Sequence, residues 1–187
     1  GAVIEAGCDA VYLGGKSFSA RSFATNFSDE EIIKAINYAH LYGVRVYVTV
    51  NTLIYENEVD EFINYIDFLH RNNVDAVLIQ DIGMFDLIRK TYPNLEIHVS
   101  TQVNIHNLSG VNFFSNLGIN RVVLARETPL EEIENIHNKI KENIDTVAKS
   151  EIKKNLDIED SKLNDKDVYE SDAYVACLGA CIEREFQ

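Results

Sequence analysis

The sequence predicts an α/β fold: parallel strands alternating with helices in an incomplete (β/α) TIM-barrel-like domain, followed by a charged C-terminal tail. Three observations predict it. Five short β-rich runs recur about 20 to 35 residues apart between positions 9 and 125, the rhythm of βα units. Amphipathic helical patterns fill the gaps between them. The composition, 46% hydrophobic and 25% charged over 187 residues, is that of an ordinary globular chain. Periodicity alone leaves a doubly wound sheet as the alternative.

The strands read Asp9–Leu13, Val44–Val50, Ala76–Gln80, Glu96–Thr101 and Arg121–Ala125. After the first, Ser28 and Glu31 have the spacing of a capping box ahead of the apolar face Ile32, Ile33, Ile36 and Ala39, and Gly43 stands where a C-terminal cap belongs. Val59, Phe62, Ile63, Ile66 and Leu69 give the next helix one apolar face. Pro93 punctuates after the helix carrying Met84, Phe85, Leu87 and Ile88. Thr128-Pro129-Leu130-Glu131 reads as a second capping box with Pro at the first helical position, followed by Ile133, Ile136 and Ile140. Asp9-Ala-Val-Tyr-Leu13 echoes Asp75-Ala-Val-Leu-Ile79, the same structural demand on a buried strand.

Residues 1–140 therefore form the expected partial barrel. Residues 141–172 differ: half of these 32 positions are charged, and Gly and Pro are absent. Ile144, Val147, Ala148 and Ile152 would make one modest amphipathic helix there, but a solvated linker or insertion is the favoured reading. A run at 173–181 reads as a degenerate sixth-strand region within 173–187. The chain opens Gly1-Ala2-Val3-Ile4-Glu5, like the tail of a helix cut through its middle and without a basic leader, so a piece of a longer protein is expected. Strand edges left open in such a piece would seek partners, either further domains of the protein or a second copy in a homo-oligomer.

Charge and cysteine usage narrow the classes. Lys plus Arg number 17 against 30 Asp plus Glu, a net charge of −13. That field repels nucleic-acid backbones and anionic membranes at long range, though a local basic pocket can overcome it. No apolar run approaches the roughly 18 residues of a membrane span. Three cysteines (Cys8, Cys177 and Cys181) are too few for a disulfide framework and fit the reducing cytoplasm.

Strand parity carries the most information about function. In Val44–Asn51 the even positions are all Val and should face covering helices, which turns Arg45, Tyr47, Thr49 and Asn51 into the barrel. The same reasoning places Tyr12, Gly14, Leu78, Gln80, His98, Ser100 and Gln102 inside. Arg126 joins them if Val123 and Ala125 face outward. Barrel interiors are ordinarily layered Val, Ile and Leu. Each buried polar group left unpaired costs about 1–3 kcal/mol, so these groups must satisfy one another, water or a ligand. A polar binding pocket at the strand C-termini is the preferred reading, and a water-filled structural network the alternative. Asn51, Gln80, His98, Gln102 and Arg126 are expected to converge there, with Tyr47, Thr49 and Ser100 deeper and Lys16 and Arg21 approaching from the loop after the first strand.

His98 and Asp81 are the candidate acid or base groups. His98 could equally be a satisfied core histidine, and Asp81 a cap for the helix starting at Ile82. His106 reads as loop-exposed near the rim, while His40, His70 and His137 lie on helices where packing or solvation suffices. Arg126 could clamp a carboxylate bidentately or pair with Glu127 or Asp81. Gly14-Gly15 beside Lys16 permits close approach of an anion but lacks phosphate-loop geometry. No Gly-x-Ser-x-Gly elbow and no His-Glu-x-x-His zinc motif is present, and Cys177 and Cys181 stand three residues apart without two further thiols, so no metal site is expected from this chain's residues. Cys8 sits in a turn where a small residue suffices.

Several stretches carry a resemblance. Glu5-Ala-Gly-Cys-Asp-Ala-Val-Tyr-Leu-Gly-Gly15, Phe18-Ser-Ala-Arg21, Asn26-Phe27, Val48-Thr-Val-Asn-Thr52, Gln80-Asp81, Ser100-Thr-Gln102 and Arg121-Val-Val-Leu-Ala-Arg-Glu127 resemble peptidase family U32, the collagenase-like peptidases, over residues 1 to about 140. The resemblance implies a (β/α) barrel-like catalytic domain whose first strand lies upstream of Gly1. It also implies RNA-base hydroxylation, of a tRNA or rRNA pyrimidine, as the activity of the intact protein, with prephenate as co-substrate and an iron–sulfur cluster on four cysteines in some members. A collagenase-like protease is the alternative, and an inactive truncated remnant the third. The family's His-Gly-x-x-Cys stretch has at best a degenerate counterpart in Ala173-Tyr-Val-Ala-Cys-Leu-Gly-Ala-Cys181. RNA would then be held through domains beyond this chain, or as one flipped base, beside a small carboxylated ligand.

Overall fold

The computed structural model describes residues 2–20 and 26–140; Arg21, the charged stretch 141–172 and the run 173–187 lie outside the described residues. In chain order the elements are α1 (Ala2–Glu5), β1 (Ala10–Gly14), α2 (Asp29–Leu41), β2 (Arg45–Val50), α3 (Val59–Arg71), β3 (Ala76–Ile79), α4 (Ile82–Thr91), β4 (Glu96–Val99), α5 (Leu108–Asn116) and β5 (Arg121–Val122). A last helix, α6, covers 130–140. The five strands form one parallel sheet in the order β1-β2-β3-β4-β5. A doubly wound sheet would reverse its strand order at a switch point, whereas this sheet steps one way throughout. It is an open arc of a (β/α) barrel.

Local chemistry explains the element ends. Ser28 Oγ accepts from the Glu31 N–H at 3.3 Å while the Glu31 carboxylate accepts from the Ser28 N–H at 2.7 Å, the reciprocal capping box expected for α2. Gly43, at φ +71°, turns the chain out of α2 and donates to the His40 carbonyl. The second expected box does not form. The first i to i−4 bond of α6 runs from the Ile133 N–H to the Pro129 carbonyl, so Thr128 stands one residue too early to cap, and its hydroxyl is buried with no partner among the described residues. Helix α5 was not anticipated from the sequence; Asn107 caps it, accepting from the Gly110 N–H at 2.9 Å.

One face of the sheet buries Val46, Val48 and Val50 of β2, with Val44 just before it and Val77, Ile79, Ile97 and Val99, against the apolar sides of the helices, where Ile32, Phe62, Ile66, Leu69 and Ile88 are fully enclosed. The loop after β1 is pinned to α3. Phe18, in the left-handed region at φ 57°, sets its ring 5.5 Å from Phe62 and 6.0 Å from Tyr65. For a non-glycine residue that backbone conformation costs about 1–2 kcal/mol, offset here by the packing of the half-buried ring. Gly15 sits directly under the Tyr65 hydroxyl, and a Cβ there would collide with it.

Gly15→Ala should therefore destabilise the protein by about 1–3 kcal/mol through overpacking against Tyr65. Urea unfolding measures it; an unchanged midpoint would show that α3 is free to move away.

Candidate functional site

Three strand ends supply a polar cluster. Asn51 follows β2, and its Nδ2 donates to Gln102 Oε1 at 2.8 Å and to Ser100 Oγ at 3.5 Å across the end of β4. Its Oδ1 accepts from the Ala20 N–H at 3.2 Å, which ties the first loop to the cluster. Ser100 is buried; its hydroxyl donates to Gln102 Oε1 at 3.3 Å and accepts from the Gln102 N–H at 3.4 Å. Beneath Asn51, Thr49 Oγ1 donates to the Leu13 carbonyl at 3.2 Å and lies 3.1 Å from Ser19 Oγ. Beside the cluster opens a groove of about 380 Å³ lined by Leu53, Gln80, Asp81, Ile82, Gly83, Gln102 and Val103.

Asp81 is occupied structurally. Its Oδ1 accepts from the Gly83 N–H at 2.9 Å, capping α4, and its Oδ2 accepts from the Ile54 N–H at 3.0 Å. The carboxylate thus ties the loop after β2 to the start of α4.

A second cluster lies deeper on the same face. In register, Tyr12, Tyr47, Ala76 and Glu96 form one row across the sheet; Gly14, Thr49, Leu78, His98 and Arg121 form the next. His98 is fully buried, with its ring 4.6 Å from that of Tyr47 in an edge-to-face contact. Its Nε2 lies 2.8 Å from Glu96 Oε1, whereas Nδ1 is buried with no partner among the described residues, as is the Tyr47 hydroxyl. The Arg121 guanidinium stands 5.3 Å from the Tyr47 ring centre and that of Arg45 5.8 Å away. Arg121 also donates to the Tyr12 hydroxyl at 3.5 Å. Burial holds the His98 imidazole below its usual range, against the opposing effect of the hydrogen bond that Glu96 accepts from it. That same bond to His98 is the main reason the Glu96 carboxyl sits low, and burial pushes the Tyr47 phenol up.

Of the expected residues, the structure brings Asn51, Ser100 and Gln102 into direct contact and places Gln80 on the adjoining groove, with Thr49, Tyr47 and His98 below. Four are placed otherwise than expected: His98, expected at the cavity, is fully buried a row below it, Ser100, expected deeper, belongs to the strand-end cluster itself, and Lys16 and Arg126 lie apart from both. Lys16 is exposed beside the start of α2, where it adds to the two Ser28 hydrogen bonds that hold the Glu31 carboxyl low. For Arg126 the parity premise is reversed: Val122 and Leu124 pack in the core against the helices, so Arg121 and Val123 share the inner face, and Arg126 lies exposed in the turn beyond. Two adjacent valines at 122 and 123 made either alternation readable; an even-position count would have found Arg121. Glu96, two residues before His98 on the same face, was also overlooked. His40, exposed on α2, lies 2.8 Å from the Asp75 carboxylate.

The four-cysteine cluster does not fit these residues. The chain has three cysteines, and Cys8, the one among the described residues, is half-buried before β1, at the sheet end opposite the groove. Among the described residues no group of three or more His, Cys, Asp or Glu is placed to hold a metal ion.

The depressed His98 pKa makes a signed prediction. Below the ordinary imidazole value of 6.5 the unfolded chain takes up a proton that folded His98 refuses. Stability from this group is therefore complete above pH 6.5 and declines as pH falls, with a slope of at most about 1.4 kcal/mol per pH unit. Urea unfolding at stepped pH should show that slope above the Glu96 range, and His98→Gln should flatten it; an equal slope in the variant would assign it to other groups.

Comparison with known proteins places this geometry in a family. The family model for Peptidase family U32 matches residues 1–150. A tRNA hydroxylation protein (P1) from Bacillus subtilis is 36% identical over 137 residues, covering 73% of this chain and 32% of that protein. A 23S rRNA 5-hydroxycytidine synthase from Escherichia coli is 39% identical over 131 residues, covering 70% of this chain and 19% of its own length. A collagenase from Porphyromonas gingivalis is 35% identical over 141 residues, covering 74% and 33%. The chain thus spans about a fifth to a third of the length of these relatives. Among solved structures, the U32 peptidase Mk0906 shares the fold at a TM-score of 0.59 and 15% identity, over 71% of this chain and 57% of that one. A match running through every strand of the sheet, with the same fold in a solved member, settles the assignment: the chain belongs to peptidase family U32.

Proposed function

We propose that the intact protein hydroxylates a pyrimidine base of tRNA or rRNA. The observation that carries this reading is the pair of relatives named for RNA hydroxylation, 36% and 39% identical to this chain. The site supports it in kind. Carboxamides around a groove of about 380 Å³ suit the edge of one extruded base. With 10 basic and 18 acidic side chains in residues 1–140, the duplex backbone falls to other parts of the protein. His98 is the proposed proton acceptor: the Glu96 carboxylate accepts a hydrogen bond from Nε2–H, a tautomer that leaves the Nδ1 lone pair on the inner face. Asn51, Gln80 and Gln102 bind, with Thr49 and Ser100 holding them from beneath and Tyr47 flanking His98. The cytoplasm is the proposed location; among the described residues no helix is long and apolar enough to cross a membrane.

Peptide hydrolysis is the second reading, favoured by the collagenase relative. Against it, His98 hydrogen-bonds Glu96, not a serine or cysteine nucleophile.

Deleting the gene should remove one hydroxylated pyrimidine from the nucleosides of total RNA, as read by mass spectrometry, and the full-length gene should restore it. An unchanged nucleoside profile defeats the proposal, and gelatin cleavage by the purified full-length protein would favour the second reading. We further place a carboxylated co-substrate of the prephenate type at the strand-end rim, where Arg126 stands exposed past β5. Arg126→Ala should weaken prephenate binding by about 1.5–3 kcal/mol in calorimetry, the scale of a lost charge-assisted hydrogen bond; equal affinity removes Arg126 from the site.

A further inference from the structure

We propose that Gln102 is a specificity-determining residue: a hydrogen-bond donor of fixed polarity that donates to a ring carbonyl in the strand-end groove and disfavours a ring amine. This rests on the pyrimidine reading above and adds to it which edge chemistry the groove selects.

The argument begins with a group that cannot change sign. A carboxamide can rotate by half a turn and exchange its donor and acceptor ends, so an amide facing a ligand is normally ambiguous. A backbone N–H can only donate. The Ala20 N–H lies 3.2 Å from the Asn51 side chain, so the atom facing it is the oxygen Oδ1. Asn51 is thereby locked, and its Nδ2 points across the strand ends. That donor meets the Gln102 side chain at 2.8 Å, so the atom receiving it is Oε1. The buried Ser100 hydroxyl, 3.3 Å from the same oxygen, donates there too. With two donors on Oε1, turning Gln102 over would set its NH₂ against the Asn51 NH₂. Gln102 therefore presents Nε2 outward, where no described group takes it up, on the wall of the groove. One backbone N–H in the first loop sets the polarity of an amide about eighty residues away through two side chains.

A nucleobase entering an open groove keeps its sugar and phosphates toward solvent, so the edge remote from the glycosidic bond leads. In uracil that edge carries a carbonyl oxygen at the 4-position; in cytosine it carries an amine. A fixed donor pairs with the first and opposes the second, because two donors facing each other leave both without an acceptor. Leu53, Ile82 and Val103 supply apolar walls for the ring.

The test reads a ratio. Full-length protein is titrated by fluorescence anisotropy with two single-stranded RNA oligonucleotides that differ at one position, uridine or cytidine in an adenosine background. Wild type should prefer the uridine strand about tenfold, the scale of one satisfied against one opposed hydrogen bond. In Asn51→Asp the new carboxylate still accepts from the Ala20 N–H but has no donor, so Gln102 turns its NH₂ inward and offers Oε1 to the groove; the preference should reverse toward cytidine. Gln102→Glu, which can only accept, should also lose the uridine preference, and it stands independently if Asn51→Asp does not fold. Gln102→Ala should abolish discrimination without reversing it. A wild type that binds both strands equally, or a preference unmoved in Asn51→Asp and Gln102→Glu, overturns the proposal. The nucleoside profile of the deletion strain tests RNA hydroxylation separately, so either reading can fail without the other.

Discussion

Parallel register decides which side chains meet on the inner face. With Tyr47 opposite Tyr12 and Ala76, and His98 opposite Leu78 and Arg121, the pleat sends every second residue of five strands to the same side. A slip of one residue in β2 would put Val46 and Val48 among the polar groups and Tyr47 into the apolar layer. The buried valines of the opposite face oppose such a slip, because their contacts with α2 and α3 would be lost together. The polar site is thus fixed by apolar packing on the side of the sheet that it never touches.

The inner face then divides by depth. Near the strand ends, short polar side chains hydrogen-bond one another around an open groove. In the two rows beneath, large groups enclose His98: the Arg121 guanidinium beside it, and the Tyr47 ring and Glu96 carboxylate below. Two of the lower atoms, His98 Nδ1 and the Tyr47 hydroxyl, are desolvated without compensation among the described residues. Such a cost is tolerated where a bound group supplies the missing partner, and it is the physical basis for giving His98 the proton-handling role.

Much of this was legible in the sequence for a stated reason. Val44–Asn51 alternates without interruption, so the orientation of Asn51, and through the sheet that of Ser100, followed from period. Strand β4 ends at Val99, short of the expected Thr101, and Gln102 sits on the single 3-10 turn Thr101–Val103, where a two-residue period no longer applies. Ser28, Glu31 and Gly43 fixed the limits of α2 because caps act through local geometry. What escaped was non-local or degenerate. Val122-Val123 gives no period, so Arg121 was passed over for Arg126. Thr128-Pro129 satisfies the capping pattern as a string, but helix α6 begins a residue later and leaves the threonine hydroxyl with no partner among the described residues. Helix α5 has glycine at position 110 in its first turn and few strong helix signals, and Asn107 was the one cap that could have betrayed it.

The double use of Asp81 has a mechanical consequence. Because one carboxylate holds both the Ile54 N–H and the Gly83 N–H, the loop bearing Leu53 and the first turn bearing Ile82 are clamped to a single residue at the end of β3. The two apolar walls of the groove therefore belong to one rigid body, and their separation is set before any ligand arrives. Recognition in such a slot draws its selectivity from shape and polarity already in place, with little conformational entropy left to lose on closure. Adaptation to a wider ring would have to come from the Gln102 side, where side chains and not the main chain form the wall.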